Sequence, residues 1–111
     1  MKTEFEKRAI LIDDIIQNYT DLDEYKKVAR TYLNDDFFEE LPIFIAQNDY
    51  EMAKDALKGL YILALELRMI RLYQELLEIY ECLIDEEYKN LDDNVKKVME
   101  IRMDLLEFFN V

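Results

Sequence analysis

The residues with the clearest chemical potential lie in the stretch Asp49-Tyr50-Glu51-Met52-Ala53-Lys54-Asp55-Ala56-Leu57-Lys58-Gly59-Leu60. On a helix, Asp55, Lys58 and Gly59 share one face at i, i+3 and i+4, while Leu57 points the opposite way, toward a core. Gly59 is the only glycine in the chain. In a helix interior it costs about 1 kcal/mol relative to alanine. A glycine so placed permits close approach of another backbone, either a partner's or that of a neighbouring helix. Glu51, four residues before Asp55, brings a second carboxylate to this face. A Mg²⁺ site would need a further oriented acid, and Lys58 stands one turn on instead. Met52 and Ile62 fall on or near the same side and can supply apolar contact.

Most other chemistries lack their parts. The sequence has no histidine and no serine, so Ser-His and Cys-His nucleophile pairs are excluded, as are zinc sites of the usual His/Cys kind and the Glu-x-x-His pairs of di-iron bundles. No cofactor or metal is expected, and the reading is of a protein that is not an enzyme. The 26 acidic and 14 basic side chains give a net charge of −12. That charge repels phosphate backbones and anionic lipid surfaces, so neither nucleic acid nor membrane is an expected partner. Cys82 is the only cysteine. It rules out an internal disulfide and suits a reducing compartment. With no signal-like stretch and no apolar run of roughly 20 residues, the expected location is the cytoplasm.

The elements that must position the Gly59 face read as amphipathic helices with short polar joints. One Gly and one Pro in 111 residues leave little material for tight turns, which argues against an all-β fold. Segment one opens with Thr3 and Glu6 in capping-box spacing, carries Phe5, Ala9, Ile12 and Ile16 on one stripe, and should end near Asn18. Segment two starts at Thr20 or Asp21, with Leu22, Tyr25, Val28, Ala29 and Tyr32 inward. Segment three has Asp36 as N-cap and Phe37, Leu41, Phe44 and Ile45 buried. Pro42 within it predicts either a kink or a regular helix beginning near Leu41. Segment four opens at Asn48 or Asp49, with Tyr50, Ala53, Leu57, Leu60, Tyr61 and Ala64 inward.

No Gly, Pro or Asn separates segment four from the run Leu72, Tyr73, Leu76, Leu77, Tyr80, Leu83 and Ile84. A helix of about 40 residues would be about 60 Å long, too long for a domain whose radius of gyration should be about 13 Å. A break is therefore expected at Glu66 to Arg68. The last segment, near 93–109, shows Val95, Val98, Met99, Arg102, Leu105, Leu106 and Phe109. Arg102 should lay its stem on that face and keep its head in water. The expected fold is all-α, one domain over residues 1–111: an antiparallel up-and-down four-helix bundle with one or two additional N-terminal helices packed across one end.

Asp55-Ala56-Leu57-Lys58-Gly59 resembles the His-x-Leu-Lys-Gly core of histidine phosphotransfer (HPt) domains, with Asp55 where the phospho-accepting histidine belongs. Phe37-Phe38-Glu39-Glu40-Leu41-Pro42 followed by Asn48-Asp49-Tyr50 is similar to the family's lead-in, and Leu72, Leu76 and Leu77 fall where its next helix shows leucines. Lys54 and Leu65 depart from the pattern. In the family, the face around the histidine docks a receiver domain. The resemblance implies a non-catalytic signalling module of a two-component phosphorelay. Its surface of Glu51, Met52, Asp55, Lys58, Gly59 and Ile62 would dock a response-regulator receiver domain or a histidine kinase without carrying phosphate. The competing expectation is an acidic helical decoy that inhibits a basic, nucleic-acid-binding protein.

Overall fold

The structure is a computed structural model that describes residues 2–11, 13, 15 and 21–110. Its described helices are α1 (Lys2–Lys7), α2 (Leu22–Leu33), α3 (Phe37–Ala46), α4 (Tyr50–Glu66), α5 (Ile70–Ile84) and α6 (Leu91–Phe109). The protein is all-helical. Helix α3 packs on α4, α4 on α5 and α5 on α6, and α6 returns to contact α3 and α2. Along the α4–α5 seam, Lys58 lies over Tyr80 and Tyr61 meets Tyr80 and Tyr73, while Tyr50 at the start of α4 stacks on Tyr88, just beyond the end of α5. Partners in reversed order mean that the two helices run antiparallel. The body measures 41 × 21 × 20 Å, with a radius of gyration of 14.2 Å.

Local sequence explains two of the described helix starts. Asp21 caps α2 by accepting from the Glu24 amide at 2.7 Å, and Asp49 caps α4 by accepting from the Met52 amide. Each such bond satisfies an N–H that the first turn leaves without a partner. Four C-termini close with the same pair of main-chain bonds. After α4, Met69 donates to Ala64 O and Arg68 to Leu65 O, and α1, α3 and α5 repeat the pattern. The residue at each bend is left-handed: Ala9, Asn48, Arg68 and Glu86, with φ of 55° to 58°. The break between α4 and α5 thus falls where chain length demanded it.

The α4–α5 turn is held from outside. Ile10 forms a bridge with Met69, Leu11 donates to Arg68 O, and Ile70 donates to Ala9 O. The Tyr25 hydroxyl donates to Leu67 O at 2.6 Å. Phe5 packs edge-on to Phe108 and Phe109 at the same end. Helix α2 does not simply cross that end. It runs lengthwise toward the middle, where the Tyr32 hydroxyl donates to Leu60 O at 2.6 Å.

Several expectations are corrected. Segment one is not continuous: α1 stops at Lys7, and Ala9 turns the chain so that Ile10 reaches Met69. Helix α1 also begins at Lys2, so Thr3 lies inside it rather than capping it. Ile12, Ile16, Asn18 and Thr20 lie outside the described residues. Helix α3 runs unbroken from Phe37 through Pro42 to Ala46. Phe38 takes the buried place expected of Phe37, because Phe38, Leu41 and Ile45 make the stripe that faces the core. Val28 and Ile84 are exposed, and Ile79 is buried in α5. Helix α5 ends at Ile84, and α6 starts two residues before the expected Asp93, at Leu91.

Arg102 is 7 % exposed, not wet-headed. Its Nε donates to Leu33 O at 2.7 Å, and its guanidinium lies 5.1 Å from the Phe38 ring centroid. The C-terminus of α2, with its free carbonyls and negative dipole end, draws the head inward.

Candidate functional site

Helix α4 carries the site. Ala53, Ala56, Leu57, Leu60 and Ala64 bury one face, which forces Glu51, Asp55, Lys58, Gly59 and Ile62 to the other. All five are exposed, as is Met52. Met52 is 47 % and Ile62 is 49 % accessible, high for large apolar side chains on a helix otherwise packed on its neighbours. Leu63 and Leu65 are exposed beside them. Leu63 continues the Asp55–Gly59 row at i+4, a spacing that could have found it, whereas Leu65 lies off that row.

Gly59 is mid-helix and exposed, and its φ is not positive. A Cβ added there would meet nothing within 4 Å beyond its own helix backbone and chain neighbours. No packing contact within the molecule therefore requires glycine at this position. At the four left-handed positions, where glycine is conformationally preferred, the chain places Ala, Asn, Arg and Glu.

The charged groups around Gly59 are arranged unequally. Lys54 Nζ lies 2.7 Å from Glu51 Oε1, and this hydrogen bond raises the Lys54 pKa. Glu51 is thereby turned to Lys54 rather than toward Asp55. Lys58 Nζ sits 5.7 Å from the Tyr80 ring centroid, a cation–π distance. Asp55 has neither an ion-pair nor a hydrogen-bond partner among the described residues. Among those residues, no group of three or more His, Cys, Asp or Glu side chains is placed to hold a metal ion. No described helix is long and apolar enough to cross a membrane.

Comparison with protein-family models, curated proteins and solved structures gives no match. The functional reading therefore rests on the residues themselves. Cys82 is partly buried on α5, and burial, followed by the nearby carboxylates of Glu78, Glu87, Asp85 and Glu81, pushes its thiol pKa up. A thiol held protonated is a poor nucleophile.

Proposed function

We propose that this protein is a non-catalytic docking module of the HPt type, which binds a receiver domain or a histidine kinase without itself carrying phosphate. The ring α3–α4–α5–α6, with α1 and α2 added at the N-terminal side, fits the up-and-down four-helix bundle of that family. Asp55 stands where the family has its histidine. A carboxylate cannot form the phosphoramidate that an imidazole nitrogen forms, so the relay step is absent and the recognition face remains.

The observation that carries this reading is the placement of the single glycine. It lies exposed in mid-helix with open space above it, between Lys58 and exposed Met52 and Ile62. A flat gap among apolar and charged neighbours suits a partner whose backbone comes close. Asp55 offers a fixed negative charge in the same place.

The test has two arms. Labelled protein is titrated with receiver domains of the same cell, and amide shifts are followed across residues 51–62. A phosphorylated receiver is then offered to the natural protein and to Asp55→His. Receiver-dependent shifts on that face, with no phosphate retained by the natural chain, are expected. Stable phosphate on the natural chain, or silence toward every receiver, overturns the reading.

A further inference from the structure

A second surface lies away from α4. Helix α6, with Pro42 of α3 beside it, lines an open groove of about 740 Å³ whose lining includes no α4 residue. Its floor is apolar: Pro42 from α3, and Val95, Met99 and Met103 from α6. Met103 is 52 % exposed. Methionine side chains are unbranched and polarizable, and they adapt to the shape of whatever covers them.

One wall is acidic. Glu100, Asp104 and Glu107 line the groove, and their i, i+4, i+7 spacing puts them in one row along α6. Asp104 is shared with Arg8, whose Nε is 3.6 Å from its Oδ2. Glu100 and Glu107 have no ion-pair partner among the described residues. Lys96 is the only basic residue in the lining.

We infer that this groove receives a basic amphipathic helix of another protein, laid with its apolar stripe on Met99 and Met103 and a Lys/Arg edge against Glu100 and Glu107. The complementarity is both apolar and electrostatic. A second copy of this chain is a poor occupant, because two bodies of net charge −12 repel. The site is independent of the Gly59 face.

The probe is a synthetic amphipathic Leu/Lys helix, with a Leu/Glu helix of the same apolar stripe as its counterpart. Binding is read by amide shifts and by fluorescence anisotropy of the labelled peptide. The Leu/Lys helix should shift residues around Pro42 and across 95–107, and the Leu/Glu helix should not bind. The double variant Glu100→Lys/Glu107→Lys should bind about tenfold more weakly, as reversal of two rim charges implies. The double variant Glu78→Lys/Glu81→Lys changes net charge equally on exposed positions of α5 and should bind as the natural protein does. Thermal unfolding of both variants checks that the fold is kept. Equal loss in the two double variants means attraction to net charge alone and overturns the proposal. Absence of binding, or a footprint elsewhere on the molecule, overturns it as well.

Discussion

Arg102 of α6 closes the C-terminus of α2 from inside the molecule, with its Nε 2.7 Å from the main-chain oxygen of Leu33. Arg30 of α2 does the converse for α6, donating to Phe109 O at 3.0 Å. Each helix thus supplies the cation that satisfies a terminal carbonyl of the other. The two helices are tied at both of these points, and the ties span much of the sequence.

Arg102→Ala should destabilise the fold by about 2–3 kcal/mol, through the lost charged hydrogen bond and the lost packing over Phe38. Arg102→Lys should recover only part, since an ammonium cannot both reach Leu33 O and lie flat on the ring. Urea unfolding measures both. Full recovery by lysine would mean that charge alone matters at this position.

Gly59→Ala should raise stability by about 0.8–1 kcal/mol, because the added methyl meets only open space. For a chain of this size that is a rise in melting temperature of roughly 4 °C. Receiver binding, where it is found, should weaken in the same variant. A more stable protein that binds less well separates a surface role from a structural one.

Glu86→Gly should stabilise by about 0.5–1 kcal/mol, because glycine adopts the left-handed bend without the Cβ penalty, partly offset by its greater freedom when unfolded. Glu86 has φ 57° and is exposed. Asn48→Gly should gain less, as asparagine already tolerates that region. Differential scanning calorimetry of the pair tests the ranking.

Tyr32 predicts an alkaline weakness. Burial, followed by the nearby carboxylate of Asp35, raises its pKa far above the ordinary value. In the unfolded chain a tyrosine ionises near about pH 10. Below that pH both states hold the proton and Tyr32 contributes no pH dependence. Above it the unfolded state releases the proton and the folded state keeps it, so stability should fall by about 1.4 kcal/mol per pH unit. Tyr32→Phe should lose about 1 kcal/mol at neutral pH, from the bond to Leu60 O, and remove this slope. Unfolding midpoints between about pH 9 and 12 show the difference.

The helices that position the Gly59 face were largely legible, since they rest on local signals. Asp21 and Asp49 cap as their residue type and spacing imply, and the α4 stripe of Ala53, Leu57, Leu60 and Ala64 is buried as periodicity requires. The break after Glu66 was legible from length alone, because the residue in the bend, Arg68, gives no turn signal. The same silence hid the bend at Ala9, where no length limit applied. Arg102 was misread because its partner is 69 residues away in sequence, beyond any local pattern. Within the site, outward Asp55, Lys58 and Gly59 follow from helical spacing. The contact of Lys58 with Tyr80 and the α3–α6 groove each need two helices in register, which one segment cannot disclose.

The tyrosines have a practical consequence. The chain has no tryptophan, so its intrinsic emission comes from eight tyrosines, and the seven among the described residues fall in two settings. Tyr25 and Tyr32 anchor α2 through buried bonds to main-chain oxygens, whereas Tyr50, Tyr61, Tyr73, Tyr80 and Tyr88 line the seam between α4 and α5. Replacing either group together with Tyr19 by phenylalanine leaves an optical gauge for the other, so separation of α2 and loosening of the α4–α5 pair can be timed independently without an attached dye.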